Sequence, residues 1–176
     1  MCTFVKNSIM RIYLVGFMGC GKSSLGKRLA RKLEYDFLDL DQEIEKRTGK
    51  TIPEIFMHEG EDWFRRKEKE LLHETIFMER SVISTGGGTP YYFDNMEFMN
   101  EHGVTVYLKM SPVSLTYRLE NARKKRPLVA DLKGGDLHRF VKDRLEEREP
   151  FYAKAHCIIK GESAKPSQIL TLIFGS

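Results

Sequence analysis

The chain has 176 residues, 41% of them hydrophobic and 31% charged, with a formal net charge of +4. That size and balance describe one soluble globular domain with a proper core and exclude a disordered polymer. The mild positive charge suits a small anionic substrate without calling for nucleic acid, and no apolar run reaches the ~18 residues of a membrane span.

Residues 1–9 carry one lysine and only a short apolar patch. They lack the long apolar core of a signal peptide, so a disordered extension is expected there, ahead of a single domain over 10–176. Cys2, Cys20 and Cys157 are odd in number and show no metal-ligand spacing. A reduced, cytoplasmic interior is the setting they favour.

Arg11 to Val15 is a short apolar run that reads as a strand buried on both faces. Leu25, Leu29, Ala30 and Leu33 recur at helical spacing, with Lys27, Arg28, Arg31 and Lys32 on the opposite side. Between strand and helix, Gly16-x-x-x-x-Gly21-Lys22-Ser23 matches the Walker A pattern in its confirming strand–loop–helix context. A glycine-rich loop can turn backbone amides toward a phosphate chain, and the following helix adds unpaired amides and its positive end. Gly19, Cys20, Gly21, Lys22, Ser23 and Ser24 are therefore expected around a nucleoside triphosphate. Lys22 supplies the cation to the β- and γ-phosphates, and the Ser23 hydroxyl supplies a ligand to Mg²⁺.

Tyr35 to Asp41 reads as a second strand ending in Asp39 and Asp41, which alternation places on one side, toward the phosphates. A dinucleotide-binding fold also places an acid near this position. Here Ser24 stands where that fingerprint ends in glycine, and Lys22-Ser23 would have no role. Simple capping of the next helix is the other reading of the two acids. Helices are expected from Gln42 to Thr48, from Ile52 to His58, and from Glu61 with Phe64, Leu71, Leu72, Thr75 and Ile76 on one stripe. Arg65 and Glu68 are three apart, hence neighbours on that helix.

Ser81 to Thr85 reads as a buried strand running into Gly86-Gly87-Gly88, where a ligand can approach bare backbone. Val104 to Leu108 is the next strand, followed by a helix from Ser111 carrying Arg118. This strand has no terminal aspartate, which leaves Asp39 as the best candidate for the magnesium side. The basic run Arg123 to Arg126, with Pro127 after it and Gly134-Gly135 further on, suggests a lid over 123–135 that closes on triphosphate. A helix from Asp136 to Glu149 carries Arg144 and Arg148 and is expected to end at Pro150. His156 to Lys160 reads as a last strand and Pro166 to Phe174 as a closing helix.

Together these residues resemble the shikimate kinase family from Met10 onward. The likeness rests on the Walker A loop, Asp39-Leu40-Asp41, Phe64-Arg65-Arg66-Lys67-Glu68, Gly86-Gly87-Gly88-Thr89-Pro90, Arg126-Pro127-Leu128 and Arg148-Glu149-Pro150-Phe151-Tyr152. The resemblance implies an α/β fold of the P-loop nucleoside monophosphate kinase type. Its parallel five-stranded sheet would be flanked by helices, with a helical acceptor-binding insertion at about 42–78 and the lid. It implies a monomeric cytoplasmic enzyme that moves the γ-phosphate of ATP to the 3-hydroxyl of shikimate. Asp41, Arg65, Gly87, Gly88 and Arg148 would hold shikimate, Glu68 would support Arg65, and Phe56 and Phe64 would wall the pocket. Arg118 would lie against adenine, Arg126 would be the lid cation, and Asp39 would hold magnesium through water. Lys22, Asp41 and Arg126 would form the catalytic set.

Cys20 stands where Ala or Ser is usual in that family, and Ser24 where Thr is common. Neither change removes a phosphate ligand. Another small-acid kinase, such as one for gluconate, would share much of this pattern. A GTP-driven switch would need an Asn-Lys-x-Asp guanine reader, which the sequence lacks.

Overall fold

The strand Arg11–Val15 (β1) is buried at every residue and forms the middle of a parallel sheet. The computed structural model describes residues 10–122, 129 and 131–175. Among these, the other strands are Asp36–Asp39 (β2), Ser81–Ser84 (β3), Val104–Lys109 (β4) and Cys157–Lys160 (β5). Their order is β2-β3-β1-β4-β5, and every pairing is parallel. Ile12 sits beside Val82 on one side and Val104 on the other, so β-branched side chains fill the sheet's middle row.

The helices are Lys22–Leu33 (α1), Leu40–Thr48 (α2), Ile52–His58 (α3), Glu61–Glu74 (α4), Asn95–His102 (α5), Pro112–Glu120 (α6), Gly134–Tyr152 (α7) and Pro166–Phe174 (α8). From β1 the chain runs out to the edge at β2, returns to β3 beside β1, then crosses to β4 on the far side. Loops leaving the carboxyl ends of β1, β3 and β4 therefore diverge. That divergence opens a crevice at the point where the strand order reverses.

Local chemistry explains most boundaries. Thr51 and Glu54 close a reciprocal capping box at the start of α3, and α2 stops at Gly49, whose φ of 66° suits glycine. The second strand is shorter than the sequence suggests. It ends at Asp39, which caps α2 by accepting from the Gln42 amide at 3.2 Å. Asp41 thus lies in the first turn of α2, and strand alternation is not what aims it.

Pro150 does not end α7 either. The helix continues to Tyr152, because a fully buried Tyr152 holds the last turn in place although the proline removes one ladder hydrogen bond. Gly134 and Gly135 open this helix, with the Gly134 amide bonded to Glu120 at 2.9 Å. The helix α4 gives way to a 3-10 turn at Thr75, which leaves Ile76 exposed, off the expected stripe. The helix α5 escapes the sequence reading, since the apolar side chains it buries are only Met96 and Met99. Residues 1–9 and Arg123 to Leu128, with them the expected extension and lid cation, lie outside the described residues.

The amino end of β1 is fastened by a buried arginine. Arg11 donates from Nε to the Thr75 carbonyl at 2.8 Å, from Nη1 to the His102 carbonyl at 2.8 Å, and from Nη2 to the Ile76 carbonyl. Those carbonyls lie in the last turn of α5 and in the 3-10 turn that follows α4, where orphan acceptors and negative dipole ends collect. Tyr13 reinforces the same corner through its 2.7 Å bond to Thr75. Removing the side chain leaves these acceptors without their charged donor. Arg11→Ala is expected to cost about 2–4 kcal/mol, seen as a melting temperature lower by roughly 4–12 °C in thermal denaturation.

Candidate active site

The crevice holds a cleft of about 500 Å³. At one end the loop after β1 turns into α1. Gly21 occupies the position before the helix with φ 96° and ψ 17°, a conformation that disfavours any side chain. Among the described residues no side chain caps this end, whereas Asp39, Thr51 and Ser111 cap α2, α3 and α6. The amides of α1 are left for an anion. Lys22 is folded over its own loop, donating to the Gly16 carbonyl at 2.6 Å and the Phe17 carbonyl at 3.0 Å. Arg118 on α6 reaches back to the Cys20 carbonyl at 3.2 Å.

Ser23 donates its hydroxyl to the Asp39 carboxylate and lies 3.3 Å from the Ser84 hydroxyl at the end of β3. Asp39 therefore does two jobs, one oxygen capping α2 and the other facing the phosphate loop. A hydroxyl and a carboxylate side by side are hard oxygen donors of the kind Mg²⁺ takes, so the residues fit that ion.

The other end of the cleft is built by α2, α3, α4, α7 and the three glycines. Arg65 is only 5% exposed and Glu68 fully buried, with Arg65 Nη1 donating to Glu68 at 3.0 Å. Nε and Nη2 of Arg65 donate to one oxygen of Glu61 at 3.2 and 3.0 Å. These bonds use three of the five guanidinium donors and leave one on each terminal nitrogen for an anion. Tyr92 lies with its ring centre 4.3 Å from the Arg65 guanidinium carbon and donates its hydroxyl to Glu61 at 2.9 Å. Glu68 accepts a further bond from Thr89 at 2.6 Å, so both of its oxygens are occupied.

Electrostatics follow this wiring. Burial alone would lower the Arg65 pKa, but the Glu68 charge and the bonds to Glu68 and Glu61 raise it, so the guanidinium stays charged. Burial pushes the Glu61 carboxyl up. The Tyr92 and Arg65 bonds and the nearby charges of Arg65 and Arg148 outweigh it and hold Glu61 below the usual range. Arg148 is 5% exposed and lies over the Phe17 ring at 5.6 Å. Phe56 and Phe64 meet at 4.9 Å between ring centres and form an apolar wall.

The glycine run is set by crowding rather than flexibility. A Cβ on Gly86 would strike Glu68 and lie 3.2 Å from Asp41 Oδ1, and one on Gly87 would lie 2.9 Å from the Met18 amide. Asp41, now on α2, reaches this backbone from the side. Gly19, Gly21, Lys22, Ser23, Ser24, Asp39, Asp41, Phe56, Phe64, Arg65, Glu68, Gly87, Gly88, Arg118 and Arg148 all line one cleft. The Cys20 side chain is buried and faces the Lys22 amine at 3.6 Å, so only the backbone of that residue is available to a ligand. Arg126 lies outside the described residues.

Sequence reasoning missed Glu61, Tyr92, Thr89 and Gln42. Glu61 was findable, four residues before Arg65 on one helix face. Tyr92 and Thr89 were not, because their contacts with α4 cross between distant segments.

A family model described as shikimate kinase matches residues 18–175. A shikimate kinase from Bacteroides fragilis is 46% identical over 166 residues, covering 94% of this chain and 93% of its own. A crystal structure of shikimate kinase from Bacteroides thetaiotaomicron superposes with a TM-score of 0.89 at 42% identity, covering 96% of this chain and 99% of that one. Shikimate kinase from Acinetobacter baumannii in complex with shikimate gives 0.84 at 38% identity, covering 96% and 94%. A gluconokinase from Sinorhizobium meliloti reaches 0.58 at 16% identity, covering 95% and 90%, which shows a shared fold alone.

The close approach of Arg65 to the glycine run gives a direct test. A Cβ on Gly88 would stand 2.8 Å from both terminal nitrogens of Arg65. Gly88→Ala must push a guanidinium already held by Glu61, Glu68 and Tyr92, and is expected to cost about 1–3 kcal/mol. Arg65→Lys vacates that space, so in a double-mutant cycle read by thermal denaturation the two losses should fall well short of additive.

Proposed function

Because the chain belongs to the shikimate kinase family, we propose that its cleft transfers the γ-phosphate of ATP to the 3-hydroxyl of shikimate. The observation that carries this reading is that a phosphate loop and two buried arginines open on the same cleft. ATP lies along Gly19, Cys20, Gly21, Lys22, Ser23 and Ser24, with adenine near Arg118. Lys22 leaves its loop carbonyls for the β- and γ-phosphates. Ser23, and Asp39 through water, would hold Mg²⁺, which would supply positive charge to the transferring phosphate.

Shikimate occupies the opposite end. Arg65 and Arg148 bind its carboxylate, an anion that matches the planar fork of a guanidinium better than the point charge of an ammonium. Glu68 holds Arg65 in place, the amides of Gly87 and Gly88 face the ring, and Phe56 and Phe64 pack on its carbon face. Asp41 accepts a hydrogen bond from the reacting hydroxyl. As oxygen bonds to phosphorus and the bond to ADP breaks, the hydroxyl proton passes toward that carboxylate. The helices over 42–78 act as the acceptor-binding segment, joined by Leu40 and Asp41 at the start of α2. We place the enzyme in the cytoplasm as a monomer, in keeping with the free thiols of Cys20 and Cys157. Among the described residues no helix is long and apolar enough to cross a membrane.

A coupled assay of ADP release with shikimate against gluconate tests the reading, and turnover on gluconate alone would overturn it. Lys22→Ala should lower kcat about 10²-fold or more while changing the melting temperature little, since among the described residues Lys22 bonds only its own loop. Arg148→Lys keeps the charge and loses the paired hydrogen bonds, so the KM for shikimate should rise about tenfold with the KM for ATP nearly unchanged. Shikimate methyl ester, which lacks the acid, should be a poor substrate of the parent enzyme and only slightly poorer for the variant. Equal turnover of ester and acid by the parent would remove the carboxylate clamp.

A further inference from the structure

Tyr152 is fully buried, yet its hydroxyl is spent on a single backbone atom, the Gly87 carbonyl. It follows Arg148 by four residues on α7, so the two side chains share one helix face. Arg148 is buried on the same face, and its charge opposes the effect of burial on the phenol. Arg148 also lies over Phe17, and the Gly87 backbone lies against Met18, both in the phosphate loop. The helix that carries Arg148 and the glycine run of the cleft thus meet at this tyrosine, beside the phosphate loop. We propose that Tyr152 is a positioning residue for the acceptor, its hydroxyl holding the Gly87 carbonyl and the Arg148 guanidinium in one fixed arrangement.

The chemistry requires the phenol rather than a plain ring. Its O–H donates to Gly87, and its lone pairs are open to an Arg148 N–H, so one atom sets the spacing between the carboxylate clamp and the glycine backbone. Burial drives the Tyr152 pKa up while the Arg148 charge pulls it down. The net rise keeps the donor protonated wherever the enzyme works. Without the hydroxyl, the Gly87 carbonyl loses a buried donor and Arg148 loses the partner that aims it. The ring itself packs on Tyr107 at 5.1 Å between centres, and that contact survives in phenylalanine.

Tyr107 provides a matched control. It is equally buried and spends its hydroxyl on Glu149, outside the cleft lining. The inference rests on Arg148 and Gly87 meeting shikimate, and the experiment separates the two layers. Steady-state kinetics and melting are measured for the parent, Tyr152→Phe and Tyr107→Phe. Tyr152→Phe should raise the KM for shikimate about tenfold, the scale of a lost hydrogen bond to a charged partner, with the KM for ATP within about twofold. Tyr107→Phe should leave both KM values near the parent's, whatever it does to melting.

An unchanged KM for shikimate in Tyr152→Phe overturns the proposal. So does an equal rise in Tyr107→Phe, or parallel rises for both substrates, because each marks a general loosening of the fold. A Tyr152→Phe chain too unstable to assay at 25 °C overturns it as well, since the hydroxyl is then a fold determinant. A parent that does not phosphorylate shikimate defeats the underlying reading, whereas an active parent with an indifferent Tyr152→Phe defeats only this inference.

Discussion

Arg65 brings a full positive charge into the protein interior, and much of the acceptor end is arranged to keep it there. Withdrawing such a charge and its partner from water costs several kcal/mol per ion, a debt that good geometry and filled hydrogen bonds must offset. Glu68 supplies the counter-charge with no exposure at all, Thr89 occupies its second oxygen, and Tyr92 with Glu61 close the remaining sides. The three glycines follow from that density, since side chains there would collide with Glu68, Met18 or Arg65. In the proposed reading, a carboxylate entering this cage would meet donors whose cost of ordering was already met when the chain folded.

The phosphate end works by the opposite means. Its donors are backbone amides and one lysine on a loop between β1 and α1, and α1 keeps its amino terminus uncapped. Side chains cap α2, α3 and α6, at Asp39, Thr51 and Ser111, while α4, α5 and α7 begin without a side-chain cap, as α1 does. Asp39 stands where the two modes meet, starting α2 with one oxygen and facing Ser23 with the other. Reading that acid as either a cap or a site residue was a false choice, because a carboxylate has lone pairs enough for both.

Much of this was legible in the sequence wherever the determinants are local. The Walker A loop, the run of β1, the start of α3 and the bounds of α8 depend on neighbours within one turn. What was not legible depends on distant contacts. The burial of Tyr152 carries α7 past Pro150, and the register of β2 against β3 stops that strand at Asp39, placing Asp41 on a helix. Tyr92 over Arg65 joins segments that no periodicity links. Asp41 lines the cleft, and the first turn of α2 delivers it there in place of the strand alternation read from the sequence.

The fastening of Arg11 lies at the end of β1 remote from Gly16, about 16 Å away along a five-residue strand. Changes so far apart, with no shared partner, combine almost independently. The molecule therefore has a structural pole and a chemical pole on the same strand. Thermal stability can therefore be tuned at the Arg11 corner with the substrate-facing pole left as it was. A laboratory seeking a hardier catalyst has that freedom, and that corner to begin from.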